Sequence, residues 1–161
     1  MIEEKATFLR HRFIMLLKRI PSDTPPQWGK MTLQQMVEHF SDAVRMASGK
    51  TSVTNVLTPP ENLDRMRGFL MSEKPFKENT PNPLMSEVPP PVRNPSMEDA
   101  LKELQEEIGN FFRVFEANGN RTTRNPFFGD LNFVENIQLL HKHAFHHLRQ
   151  FGVEAGVVAT S

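Results

Sequence analysis

The stretch Asn132–Gly152, NFVENIQLLHKHAFHHLRQFG, decides the fold because it joins the clearest helical pattern to most of the histidines. Its apolar residues recur every three or four positions, which predicts an amphipathic helix over Phe133–Phe151. Asn132 and Glu135 match the pattern of a capping box at its start, and Gly152 is suited to end it. The apolar stripe of this helix needs partner helices to cover it.

Four of the six histidines lie in this predicted helix, at His141, His143, His146 and His147. Residues four apart share a helix face, so His143 and His147 can direct two imidazoles at one metal ion. A helical wheel places these two along one edge of the apolar stripe, with His141 on the opposite side and His146 further outward. Such a pair is a weak signal alone, because surface or core histidines with ordinary hydrogen bonds have the same spacing.

Three further segments have the same period and predict three more helices. They cover Ile2–Ile20, Leu33–Ser48 after a Thr32–Gln35 capping box, and Met97–Asn118 after the cap residue Ser96. Four amphipathic helices of this length predict an all-α fold, a four-helix bundle.

The connection over residues 49–96 differs from the rest of the chain because it contains nine of the 13 prolines. A short helix over Glu61–Met71 is predicted after Pro60, and the rest reads as irregular. The connection is long enough to cross the bundle, which predicts an up-down-down-up topology. Residues 1–161 then form a single domain with this crossover inside it.

The same crossover has apolar residues that can anchor it to the bundle: Phe69, Leu70, Phe76 and Leu84. They favour a segment that folds over the helices as a lid and helps to form a pocket wall. A mobile linker is the alternative that the proline content leaves open.

Composition excludes several classes of protein and site. The chain has no cysteine, so disulfides, thiolate zinc sites and a cysteine nucleophile are excluded, and any metal must bind nitrogen or oxygen. Lys+Arg and Asp+Glu both number 19 and form no basic stripe, which argues against nucleic acid as a partner. The sequence has no apolar run of membrane-spanning length and no secretory h-region, so a soluble cytoplasmic protein is expected.

His39 is the best third partner for the histidine pair, because it lies at the edge of the apolar face of its helix. At 1.5 Å per residue it lies about 9 Å from the start of that helix. His143 and His147 lie about 12 and 6 Å from the end of theirs, so the levels match if the two helices are antiparallel. This geometry predicts a metal centre formed by His39, His143 and His147.

Each ligand imidazole needs a hydrogen bond that orients its other ring nitrogen. Five residues near the histidines are candidates for this role: Gln35, Asp42, Asn136, His146 and Gln150. The outward position of His146 favours a surface residue instead. Trp28, the only tryptophan, is predicted to pack over the end of the bundle rather than to bind a substrate.

Two blocks, WGKMTLQQMVEHF (Trp28–Phe40) and NPFFGDLNF with HKHAFHHLRQFG (within Asn125–Gly152), resemble the DinB/YfiT-like family of metal-dependent proteins. The nearest resemblance is to a bacterial subfamily of unknown function. It implies an up-down-down-up bundle with a divalent ion on three histidines, and the matching positions are His39, His143 and His147. Some members are thiol S-transferases that use a low-molecular-weight thiol, and the residues of this chain do not by themselves reveal that activity.

The predicted function is a metal-dependent enzyme that acts on a small-molecule substrate. Neutral imidazoles suit a divalent transition metal, with zinc or nickel expected first, and three ligands leave one position for a thiol or water nucleophile. A thiol S-transferase and a hydrolase both fit this chemistry. A non-catalytic metal-binding bundle and three coincidental histidines are the alternatives, and a homodimer stays open.

Overall fold

The structure, a computed structural model, describes residues 2–78 and 88–154 and is mostly helical. The elements lie in chain order as follows: α1, continuous through Ile2–Thr7, Phe8–Arg12 and Phe13–Arg19; α2, Leu33–Ser48; α3, Pro60–Met71; α4, Met97–Ala117; β1, Thr123–Asn125; β2, Gly129–Leu131; and α5, Phe133–Gln150. The prediction of a helical protein is confirmed. The sequence did not predict the antiparallel hairpin β1–β2, whose strands have only three residues each.

The predicted helix starts are confirmed by their caps. Thr32 Oγ1 accepts from the Gln35 backbone N–H at 3.1 Å, and the Gln35 side chain accepts from the Thr32 backbone N–H at 2.8 Å. Asn132 and Glu135 form the same reciprocal pair at the start of α5, at 2.9 and 3.0 Å. The first backbone N–H groups of a helix have no carbonyl partner within the helix, and these capping bonds satisfy some of them. The caps therefore define the residues at which α2 and α5 begin.

One turn of α1, Phe8–Arg12, is π-helical rather than α-helical, which the sequence did not predict. A π turn holds an extra residue and changes which side chains face inward. Phe8 and Leu9 in this turn are both buried, and the Phe8 ring lies 5.4 Å from that of His141 and 5.1 Å from that of Phe145.

The four long helices α1, α2, α4 and α5 bury their apolar faces in one shared core. Its fully enclosed side chains include Phe13, Leu17, Leu33, Met36, Phe40, Leu104, Ile137 and Leu148. This core accounts for the periodic spacing of apolar residues in the sequence. The up-down-down-up order of the four helices stays a prediction. Among the described residues, no helix is long and apolar enough to cross a membrane.

The described parts of the crossover pack against the helices. Leu70 of α3 is fully buried with Phe128 and Leu131 of the hairpin, and Phe69 and Phe76 pack against this second cluster. Three of the four predicted anchors therefore make contacts. The fourth, Leu84, lies outside the described residues.

The return of the crossover to the helices is fixed by a buried carboxylate. Glu38, which is 4% exposed, accepts from the backbone N–H of Arg93 at 2.8 Å and of Asn94 at 3.1 Å. Burial would raise the pKa of Glu38, but these hydrogen bonds outweigh it and the pKa is lowered. The crossover is thereby attached to α2 one residue before His39.

Candidate metal centre

Three histidines from two helices meet at one point of the structure. His143 Nε2 lies 3.3 Å from His39 Nε2 and 2.8 Å from His147 Nε2. One ring nitrogen from each of the three lies within 4.8 Å of the others. The structure thus brings together the three residues that the helical levels predicted, one from α2 and two from α5.

The spacing of these nitrogens fits a metal ion. Zinc–imidazole bonds of about 2.0–2.1 Å in a tetrahedral site place neighbouring nitrogens about 3.3 Å apart. The separation between His39 and His143 equals this value, and that between His143 and His147 is shorter by roughly half an ångström. Three nitrogens can form one face of a tetrahedron, and no fourth histidine or carboxylate of residues 2–78 and 88–154 joins the group.

The protonation of the three imidazoles also suits a metal. Burial lowers the pKa of His39 below its usual 6.5, although the nearby charge of Asp42 acts in the opposite direction. Burial lowers the pKa of His143 much further, and the neighbouring imidazoles of His147 and His39 add to the effect. The pKa of His147 is likewise well below 6.5, first because of burial. All three rings are therefore neutral near pH 7, the form that binds a cation.

Gln150 orients one of the three rings. Its Oε1 accepts from His147 Nδ1 at 2.8 Å, while its Nε2 donates to the Trp28 carbonyl at 3.0 Å. The second bond fixes which end of the amide faces the histidine. His147 therefore has its proton on Nδ1, and the lone pair of Nε2 points towards the other two histidines.

The loop that carries Trp28 fits closely around this amide. Gly29 has a φ of 77°, and a Cβ added there would lie 3.1 Å from Gln150 Nε2. A side chain at position 29 would strain the backbone and crowd the amide. The glycine lets the Trp28 carbonyl reach Gln150, which the sequence predicted as an orienting residue.

Three other predicted orienting residues make their hydrogen bonds elsewhere. Gln35 bonds with Thr32 and with the Pro90 carbonyl, and Asp42 forms ion pairs with two arginines. Asn136 donates to Thr123 Oγ1 and to the carbonyls of Leu131 and Asn132, which fasten the hairpin to α5. Within the described ranges, none of their hydrogen bonds reaches a histidine.

His146 is half-buried beside the three histidines, whereas its wheel position favoured the surface. Its ring lies 5.4 Å from the Trp28 indole and 5.9 Å from the Phe76 ring, measured between centroids. Burial, with the charge of Arg149, lowers its pKa to about 4. Helical periodicity cannot reveal this packing, because both aromatic neighbours come from connecting segments.

Aromatic side chains border the three histidines, which differ in their exposure. The buried ring of Phe40 lies 4.9 Å from that of His143, and the Phe76 ring contacts His143 edge-on at 6.4 Å. His147 is buried, whereas His39 and His143 are only partly so. The side chains of His39 and His143 thus keep some exposed surface, while that of His147 has almost none.

Comparison with known protein families assigns the chain to a superfamily. The sequence model of the DinB superfamily matches residues 6–151, a range that includes all three histidines. The chain belongs to the DinB superfamily. Its membership confirms, at the level of the superfamily, the resemblance seen in the two sequence blocks. No curated protein and no solved structure matches this DinB-superfamily chain.

Proposed function

We propose that this DinB-superfamily protein is a metal-dependent enzyme whose three histidines bind one divalent transition metal, with zinc or nickel expected first. The observation that supports it best is the convergence of three neutral ring nitrogens from His39, His143 and His147, which lie within 4.8 Å of one another. A structural zinc site is normally closed by four protein ligands. Three ligands, two of them partly exposed, favour a site that performs chemistry.

The bound ion would supply Lewis-acid stabilisation of an ionised thiol or water at the fourth position. The residues of the chain do the rest of the work. Gln150 keeps the lone pair of His147 directed at the centre, and Phe40 and Phe76 exclude bulk water from one side. A water-poor surround strengthens electrostatic stabilisation of a developing charge.

The proposed reaction is the attack of an activated nucleophile on a small electrophilic substrate. The chain has no cysteine and no tyrosine, so a thiol or phenol nucleophile must come from outside. The family resemblance favours a low-molecular-weight thiol, as in a thiol S-transferase, and a hydrolase that uses water is the second form. An up-down-down-up bundle would bring the end of α5 beside the start of α2, which is compatible with the contacts of His39 with His143 and His147.

The metal is tested by its stoichiometry in the purified protein after loading and removal of excess ion. We expect one ion per chain in the wild type and none in His143→Ala. His141→Ala is the matched control, because His141 lies on the same helix but packs between Phe8 and Phe145. Equal loss in both variants would contradict the ligand assignment.

The reaction is tested with two substrate panels and the metal-loaded protein. One panel combines low-molecular-weight thiols with reactive electrophiles, and the other contains esters and amides. Turnover that depends on the metal and disappears in His39→Ala would support the proposal, and the responding panel would separate the two reactions. A firmly bound metal without turnover in either panel would favour a non-catalytic metal-binding protein.

A further inference from the structure

The segment that follows α3, Ser72–Phe76, is fastened to α5 by buried polar side chains. Lys142 is only 7% exposed, and its Nζ donates to the carbonyl oxygens of Ser72, at 2.9 Å, and of Lys74. Gln138, one turn earlier on α5, donates from Nε2 to the same Ser72 carbonyl at 3.1 Å. Three hydrogen bonds thus join this short segment to one face of α5.

A second set of contacts fastens the segment to α1. Lys5 Nζ donates to Glu73 Oε1 at 2.8 Å and to Gln138 Oε1 at 2.7 Å. In addition, Lys142 Nζ lies 4.7 Å from the centroid of the Phe69 ring, within the range of a cation–π contact. Two helices therefore fix the backbone just after α3.

A buried lysine is costly unless its ammonium group is satisfied, and an apolar side chain could fill the same space without that cost. The carbonyls of Ser72 and Lys74 satisfy the charge of Lys142. Unlike an apolar residue, Lys142 holds the backbone of Ser72 and Lys74 in a defined position through its hydrogen bonds. It thereby also fixes the position of the side chains next to this backbone.

The side chain placed by this arrangement is Phe76. Its ring stands perpendicular to those of His143 and His146, at centroid distances of 6.4 and 5.9 Å, and rests on Phe69 at 5.7 Å. Phe76 is itself half-buried, so it borders both the histidines and the solvent. Among the described residues, Phe76 is thus a partly exposed aromatic ring in contact with the ring of His143, which is itself partly exposed.

We propose that Phe76 determines which molecules reach the histidine centre, and that Lys142 is the positioning residue that fixes Phe76 there. The Phe76 ring forms an aromatic wall beside the histidines. This wall selects ligands that carry an apolar group next to the donor atom, because that group is removed from water when it packs against the ring. This inference rests on the proposed function, since it assumes an ion on the three histidines.

The experiment uses the full chain loaded with cobalt(II), whose absorption changes when a thiolate binds to it. The probes are benzyl mercaptan and mercaptoethanol, two alkyl thiols that differ in the apolar group. We expect the preference for benzyl mercaptan to fall roughly tenfold in Phe76→Ala, with one cobalt per chain retained. Phe127→Ala is the matched control, because Phe127 is half-buried in the same cluster and lies in the hairpin segment rather than beside the histidines.

The positioning role is tested with two substitutions of the lysine. Lys142→Met keeps the length of the side chain but not its donors, and it should lower the same preference as Phe76→Ala does. Lys142→Arg keeps donors for the carbonyls of Ser72 and Lys74, and it should restore the preference. A purely structural lysine would change the melting temperature but not the ratio of the two thiol affinities.

The outcomes separate the inference from the proposed function. An unchanged thiol preference in Phe76→Ala, with cobalt bound, overturns the inference and leaves the metal centre intact. Absence of stoichiometric cobalt from the wild type refutes the proposed function, and the inference fails with it. If Lys142→Met does not fold, Phe76→Ala alone decides whether the aromatic wall selects ligands.

Discussion

Replacing Gln150 by leucine is expected to weaken metal binding by about 10- to 100-fold, the usual effect of losing a hydrogen bond that orients a ligand histidine. This loss corresponds to about 1.4–2.7 kcal/mol of binding free energy. Gln150 is 3% exposed, and its two hydrogen bonds link His147 to the Trp28 carbonyl. Leucine fills a similar volume but can neither accept from His147 nor donate to Trp28.

The same substitution should also destabilise the metal-free fold. It leaves the buried Nδ1–H of His147 without its acceptor, and an unsatisfied buried group costs about 1–3 kcal/mol. The Trp28 carbonyl, which is only part-buried, loses its donor as well. The free energy of unfolding of the metal-free protein, from denaturant titration, should therefore fall by roughly 1–3 kcal/mol. The two effects are measured separately, one on affinity and one on stability.

The affinity is measured by competition with a chromophoric zinc chelator near neutral pH. Asn136→Leu is the matched control, because Asn136 is an equally buried amide on α5 whose bonds reach the hairpin instead of a histidine. We expect Asn136→Leu to lose stability but to keep its metal affinity. The orienting role of Gln150 would be refuted if Gln150→Leu bound zinc as tightly as the wild type.

Three further predictions concern pH and the polar core. Burial holds the pKa of His143 and His147 well below 6.5, so zinc occupancy should persist just below pH 6.5 and fall only at lower pH. The measurement is a pH titration of a zinc-loaded sample, and loss of zinc already above pH 6.5 would contradict the prediction. Burial, with the charge of Lys5, lowers the pKa of His141 to about 4, against 6.5 when unfolded. Its contribution to stability is therefore complete above pH 6.5 and decreases as the pH falls from 6.5 towards 4. His141→Phe should reduce this acid-dependent loss in thermal denaturation by about 1–3 kcal/mol, and a loss as large as in the wild type would exclude His141 as its source. Glu38→Gln should destabilise the fold by about 2–3 kcal/mol, because the new amide group faces donors, whereas the exposed control Glu106→Gln should leave the melting temperature unchanged.

The helices and the histidine centre could be predicted because their determinants are local. Caps such as Thr32 with Gln35 mark helix starts within four residues, and apolar periodicity gives the buried face. The rise per residue then places His39 level with His143 and His147 across two helices. Gln150 follows from the same logic, since it lies one turn beyond His147 on the same edge.

What could not be predicted depends on contacts between distant segments or on axial distance. Asn136 shares the wheel position of the histidines but lies seven residues before His143, about 10 Å along the helix, so its amide meets the hairpin instead. Lys142 and His146 point outward on the helical wheel, yet both are covered by other segments. Ser72 of the crossover packs on Lys142, and Phe76 of the crossover and Trp28 pack on His146. A single helix pattern cannot show what packs on its outer face.

The link from Trp28 through Gln150 to His147 places an optical reporter next to the three histidines. Trp28 is the only tryptophan and the chain has no tyrosine, so the ultraviolet-excited emission of this protein comes essentially from one indole. That indole lies beside the His146 ring, and its own backbone carbonyl binds the amide that orients His147. The proposed binding of a metal at the three histidines should therefore change the tryptophan fluorescence, which would allow it to be followed in real time without an attached label.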